Sequence, residues 1–161
     1  MRKHILCRKM LIFAALLCFF ASIPHVNAQQ IQNYNPHALE YFKKSLEYLT
    51  QGDYYNTILN CNNVIRLDPN SAINYVIRSR AYYEMNEYDK AIADCNQAIR
   101  LDRNNAAAYV IRGNAYAKKN ELNRAISDWE AALRINPNIP EAAQNIDLAR
   151  LNQLRVLKYT K

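Results

Sequence analysis

The chain has 161 residues and a formal net charge of +7, from 21 Lys and Arg against 14 Asp and Glu. Four of the basic residues and none of the acidic ones lie in residues 1–28, so the remainder carries only +3. A charge this weak and evenly spread gives no support to nucleic-acid binding. Two glycines in the whole chain argue against a turn-rich β fold.

Residues 1–28 have the three parts of a secretory signal peptide. Residues 1–9 are basic, residues 10–21 are apolar, and small residues stand at Val26 and Ala28, just before Gln29. We expect cleavage near Ala28 and a periplasmic or secreted protein, because the apolar stretch is shorter than the ~20 residues that cross a bilayer. The alternative is an anchor that keeps residues 10–23 and holds a regulatory factor at the membrane.

After a polar leader at residues 29–37, which we expect to be mobile, the sequence repeats. The segment NYVIRSRAYY at residues 74–83 returns as AYVIRGNAYA at residues 108–117, an offset of 34. The segment IRLD at residues 65–68 returns at residues 99–102, with the same offset. These matches define three contiguous units of equal length, at residues 38–71, 72–105 and 106–139.

Each unit is predicted to be two helices joined by a turn. In the second unit, apolar residues fall on one stripe of a helix at Ala91, Cys95, Ala98 and Ile99. Turn-forming residues separate the units, and no segment alternates as a strand does. We therefore predict an all-α protein.

A further helix follows the third unit, within residues 140–161, and is predicted to cap the array. The residues expected to cover the last unit are Ala142, Ile146, Ala149 and Leu157. The polar residues expected to face water are Asn145, Arg150 and Gln153.

The repeat resembles the tetratricopeptide repeat (TPR), which has the same period. In that frame, Tyr occupies positions 4 and 11 of all three units. Position 8, usually small, is Ser45, Ser79 and Gly113, and position 24, usually bulky, is Cys61, Cys95 and Trp129. The resemblance implies a right-handed α-solenoid of three helix-turn-helix repeats with a capping helix.

In TPR proteins the first helices of successive repeats line a concave groove that binds a partner. The resemblance assigns the following groove residues to this chain: Phe42, Lys43, Val76, Ile77, Arg80, Tyr83, Val110, Ile111, Asn114 and Lys118. Their apolar members would form a strip suited to an amphipathic helix or an extended segment with apolar anchors. The alternative is that some of these side chains pack between repeats or under the protein's own termini.

One ligand class of the family is not expected. TPR proteins that bind acidic chaperone tails carry a clamp of Lys, Asn and Arg at particular groove positions. Those positions are occupied here by Phe42, Leu46, Ile77, Ala107 and Ile111.

Charged and sulfur-containing residues have structural explanations. Arg78 with Asp94, and Arg112 with Asp128, share repeat positions and are predicted to form ion pairs between the two helices of a unit; the first unit has Lys44 and Asn60 there. Cys61 and Cys95 are expected to be buried and unpaired, because adjacent helices lie farther apart than a disulfide allows.

The sequence therefore favours an exported protein–protein interaction module, acting as an adaptor, scaffold or assembly factor for an envelope or secreted partner. We expect no catalytic residues, cofactor, metal or nucleic-acid partner. A self-associating structural subunit, and the membrane-held factor, are the alternatives.

Overall fold

The computed structural model describes residues 36–159, with side chains from 37 to 154. Within that part of the chain there are seven helices and no strand. They are α1 (Pro36–Gln51), α2 (Tyr54–Leu67), α3 (Ala72–Glu84), α4 (Tyr88–Leu101), α5 (Ala106–Lys118), α6 (Leu122–Ile135) and α7 (Pro140–Tyr159). The all-α repeat fold is as expected, and the expected signal peptide and most of the leader lie outside the described residues.

The turn inside each repeat uses the same chemistry at the same position. Gly52, Asn86 and Asn120 occupy equivalent positions of the three repeats, and all three have positive φ, at 77°, 61° and 63°. A residue with positive φ ends a helix by turning the chain back, so that the following N–H groups can donate to the last free carbonyls. Glu87 N–H, for example, donates to the Tyr82 carbonyl at 2.9 Å.

The turns between repeats also recur. Asp68, Asp102 and Asn136 end α2, α4 and α6, and each side chain accepts a hydrogen bond from the backbone N–H two residues later, at 3.0 to 3.2 Å. Such Asx turns stop a helix and redirect the chain. Both kinds of turn therefore follow from glycine or short polar residues at a fixed spacing.

Packing follows the order of the chain, as in a one-dimensional array. One buried cluster joins the second and third repeats and includes Tyr75, Val76, Cys95 and Ile111. A second cluster joins Trp129 of α6 to α7. The buried side of α7 consists of Ala142, Ile146 and Ala149, as expected, whereas the side chain of Leu157 lies outside the described part.

The polar side chains of α7 make contacts that the expectation for that helix did not include. Arg150 is exposed, as expected, and also donates to Glu130 of α6 at 2.8 Å, while the half-buried Gln153 donates to Asn123 at 2.8 Å. Asn145 donates to Asn114 of α5 at 3.2 Å. Residue type alone suggested a solvent-exposed face, but polar side chains on the flank of a packed helix can reach the neighbouring helices.

No helix among residues 36–159 combines the length and hydropathy that a membrane span requires.

Both cysteines of the described region are free and buried. Burial raises the pKa of both thiols to about 12, and hydrogen bonds with Ser45 and Ser79 oppose this only in part. We therefore expect Cys61 and Cys95 to resist a thiol reagent at pH 8 in the folded protein and to react fully in denaturant. A colorimetric thiol assay on the chain without residues 1–28 checks this, since Cys61 and Cys95 are then its only cysteines. Rapid labelling before denaturation would contradict the expectation.

Candidate functional site

The helices α1, α3 and α5 carry the ten side chains assigned to the groove, but at different depths. Phe42, Val76, Ile77 and Ile111 are only 7, 5, 2 and 7% exposed. Val76 and Ile111 belong to the core cluster between the second and third repeats. These four members of the expected apolar strip are therefore buried, and Val76 and Ile111 pack between repeats.

The remaining groove residues lie nearer the surface. Lys43, Arg80 and Lys118 are exposed, whereas Tyr83 and Val110 are half-buried. We call these five residues the first-helix surface. It offers apolar and aromatic area with cations beside it, and it includes Tyr and Arg, two residue types that are enriched at protein interfaces.

The three cations of the first-helix surface differ in their partners. Arg80 donates to Glu84 on the same helix at 2.7 Å. Lys43 and Lys118 form no ion pair within the described residues. These two lysines can therefore meet an acidic group of a partner without first breaking an internal contact.

Tyr83 lies near the C-terminal end of α3, just before the turn into α4. Its ring is 5.8 Å from that of Tyr88, centroid to centroid, with the planes tilted by 56°. Burial raises the pKa of Tyr83, and the nearby Glu84 and Tyr88 act in the same direction. The hydroxyl thus stays protonated at physiological pH and can donate a hydrogen bond.

Asn114, also assigned to the groove, is engaged inside the chain. Its amide nitrogen donates to Glu141 at 3.1 Å, and its oxygen accepts hydrogen bonds from Trp129 Nε1 at 2.9 Å and Asn145 at 3.2 Å. It connects α5 to both α6 and α7. Its contact with α6 depends on Trp129, which only the third repeat has at that position.

The two arginines assigned to ion pairs make bidentate contacts between helices. Arg78 donates through Nε and Nη2 to the two carboxylate oxygens of Asp94, both at 2.7 Å. Arg112 contacts Asp128 in the same way, at 2.8 and 2.6 Å. The hydrogen bond to Asp128 raises the pKa of Arg112 although burial opposes it.

Each of these arginines has a third partner that the sequence analysis missed. Arg78 Nη1 donates to Asn62 at 2.6 Å, and Arg112 Nη1 donates to Asn96 at 2.6 Å. Both asparagines lie on the second helix of the preceding repeat, at the same repeat position, and this equivalence could have revealed them. Each arginine therefore joins two helices of its own repeat to the repeat before it.

The first repeat has a different arrangement at these positions. Lys44 pairs with Glu40 on its own helix at 2.7 Å, and the Asn60 side chain donates to the Asn56 carbonyl at 2.8 Å. Lys44 and Asn60 therefore do not connect the two helices of the first repeat. The bidentate arginine contact thus belongs to the two repeats that have a repeat on their N-terminal side.

Within residues 37–154, no three His, Cys, Asp or Glu side chains are grouped so that they could hold a metal ion.

Comparison with family models and solved structures gives a consistent result. One family model, described as a TPR repeat, matches residues 80–119, and another, described as a tetratricopeptide repeat, matches residues 106–139. The first TPR domain of the human RPAP3 protein is similar to this chain, with 30% identity and a TM-score of 0.71, over 75% of this chain and 96% of that one. No curated protein sequence matches the chain.

Two further solved structures are similar. The first TPR of Spaghetti (RPAP3), bound to the HSP90 peptide SRMEEVD, has 28% identity and a TM-score of 0.71, over 81% of this chain and 98% of that one. The protein MamA has 27% identity and a TM-score of 0.70, over 78% of this chain and 74% of that one.

Proposed function

This chain belongs to the tetratricopeptide-repeat family and is a protein–protein interaction module, and we propose that it acts as an exported adaptor, scaffold or assembly factor. In this proposal a segment of an envelope or secreted protein lies along the first-helix surface. We propose no reaction for the chain, since domains of this family are generally non-catalytic.

The observation that carries the proposal is the composition of the first-helix surface. Tyr83 and Val110 are half-buried and offer shallow apolar contacts, while Lys43 and Lys118 are exposed and have no ion pair within residues 37–154. A segment with apolar anchors and flanking acidic residues complements this arrangement.

The partner differs from the peptide in the Spaghetti complex. At the positions where TPR proteins clamp an acidic tail, Phe42, Leu46, Ile77 and Ile111 are at most 7% exposed in this chain. Buried apolar side chains cannot neutralise a terminal carboxylate. We therefore propose a partner that is recognised by an internal segment and not by an acidic C-terminus.

Export is the part of the proposal that rests on the sequence alone. A basic start, an apolar stretch and small residues before Gln29 support cleavage near Ala28. The periplasm or the extracellular space follows as the place of action. Retention of residues 10–23 would instead make the chain a membrane-held factor.

Capture of the partner with charge-reversal variants tests binding through the first-helix surface, and sequencing of the captured chain tests export. The chain, tagged at its C-terminus and cross-linked in its own cells, is compared with the variant Lys43→Glu, Lys118→Glu. We expect that variant to recover at least about tenfold less partner, because reversed charges repel an acidic segment. N-terminal sequencing should show that the recovered chain begins at Gln29.

The matched control is Arg66→Glu, Arg103→Glu, which changes the net charge equally at exposed positions outside the first-helix surface. Circular dichroism checks that all three chains keep their helices. Equal capture by the two variants would place the partner elsewhere on the solenoid. A recovered chain that begins at Met1 would support the membrane-held alternative.

A further inference from the structure

The exposed lysines and arginines of the described region fall into two groups. Those with an ion-pair partner are Lys44, Arg80, Lys90, Lys119, Arg124 and Arg150. The others form no ion pair between residues 37 and 154; apart from Lys43 and Lys118 of the first-helix surface, they are Arg66, Arg100, Arg103 and Arg134. The second surface with available cations thus consists of arginine alone.

These four arginines share one edge of the array. Arg66, Arg100 and Arg134 occupy the same repeat position, in the last turns of α2, α4 and α6. Equivalent positions of stacked repeats form a row along the array. Arg103 lies in the turn after α4, where the other two repeats have proline. We call these four residues the arginine edge. Cations that are evenly spread along the sequence are thus brought together by the repeat.

Helix stabilisation accounts for only part of the arginine edge. A cation in the last turn interacts favourably with the helix dipole, but Arg103 lies outside the helix, two residues after the end of α4. The acidic residues of the turns between repeats are Asp68 and Asp102, and their side chains accept hydrogen bonds from the backbone N–H groups of Asn70 and Asn104. Four arginines against two engaged aspartates leave this edge positively charged.

Apolar residues accompany the row of arginines. Each arginine at the end of a second helix is followed by an apolar residue, either Leu67, which is 39% exposed, or the half-buried Leu101 and Ile135. Guanidinium groups bind phosphate through two parallel hydrogen bonds. Cations beside apolar side chains are the composition with which protein segments lie on anionic lipid headgroups.

From this arrangement we propose that the arginine edge binds a bilayer surface rich in anionic phospholipid. One guanidinium of each repeat contacts lipid phosphates, and Leu67 lies between headgroups. Because the arginines form a row along the array, a flat charged surface can contact several of them at once. The edge shares no residue with the first-helix surface, so a chain on the bilayer keeps Lys43 and Lys118 available for a protein partner.

Vesicle flotation tests the proposal on the chain in the form that its cells produce. Vesicles of phosphatidylcholine with about 40% phosphatidylglycerol are compared with vesicles of phosphatidylcholine alone, at about 0.1 M salt. We expect partition into the anionic vesicles to be at least about 100-fold stronger, since each cation near such a surface contributes about fivefold. The neutral vesicles measure any insertion of residues 10–23, should these be retained.

Two variants of equal charge test the location of the site. Arg100→Gln with Arg134→Gln removes two cations from the arginine edge and should weaken binding to anionic vesicles at least about tenfold. Lys43→Gln with Lys118→Gln removes two from the first-helix surface and should weaken it by about threefold at most, because salt screens distant charges. Equal partition into anionic and neutral vesicles, or equal effects of the two variants, would overturn the proposal.

The vesicle assay uses no protein partner, so its result does not depend on that of the capture experiment. Capture by the variant Arg100→Gln, Arg134→Gln should match that of the unaltered chain. Lost capture together with undiminished vesicle binding would assign the arginine edge to an acidic protein and overturn the proposal.

Discussion

Gly113→Ser is expected to destabilise the folded chain by about 1–3 kcal/mol, although Ser occupies the equivalent position in both other repeats. A Cβ atom at Gly113 would lie 2.7 Å from Nε1 and 2.8 Å from Cδ1 of Trp129, and 3.1 Å from the Ala125 carbonyl. Trp129 is 3% exposed and cannot move aside without opening the core. Thermal or urea unfolding, followed by circular dichroism, measures the loss.

The residue packed against this position explains why two repeats have serine there and the third has glycine. Ser45 lies against Cys61 and Ser79 against Cys95, so a small thiol accompanies a serine in two repeats. In the third repeat the indole fills the space that the serine side chain would need. Gly113 and Trp129 therefore form one packing unit and should be coupled energetically.

A double-mutant cycle separates this coupling from a general effect of serine in a helix. Trp129→Cys alone should cost about 3–5 kcal/mol, since it leaves a cavity; it also loses the hydrogen bond from Nε1 to Asn114. In that background Gly113→Ser should be neutral or stabilising, because the clash with the indole is absent and serine favours a helix more than glycine does. Equal costs of Gly113→Ser in both backgrounds would disprove the coupling.

The periodic features of the fold could be predicted from the sequence because they depend on spacing. The constant offset between the units located the helix pairs, and repeated residue types pointed to Arg78 with Asp94 and to Arg112 with Asp128. Each of these features repeats within the chain. The three repeats of this one sequence can therefore be compared with one another.

Depth and exposure could not be predicted in the same way. The pattern assigned Ile77 and Ile111 to a helix face, but whether that face is open depends on what packs against it in the folded chain. On α7, the direction of Leu151 depended on which side of the helix packs against α6. Both are properties of tertiary packing, which local periodicity does not contain.

The arginine contacts concern stability more than binding, and Arg112→Met tests that distinction. The change leaves the Asp128 carboxylate, which is 5% exposed, without its cation, and removes the donor to Asn96. We expect a loss of about 3 kcal/mol in the free energy of unfolding, because an unpaired buried charge is costly. Urea unfolding measures the loss.

Two controls make the test of Arg112 specific. Lys44→Met alters the same repeat position in the first repeat, where the ion pair with Glu40 is exposed, and should leave the unfolding midpoint unchanged. Arg112→Met combined with Asp128→Leu should recover most of the lost stability, since apolar residues can replace a buried ion pair. Partner capture by the folded Arg112→Met chain should persist. Unchanged unfolding together with lost capture would show that Arg112 contacts the partner directly.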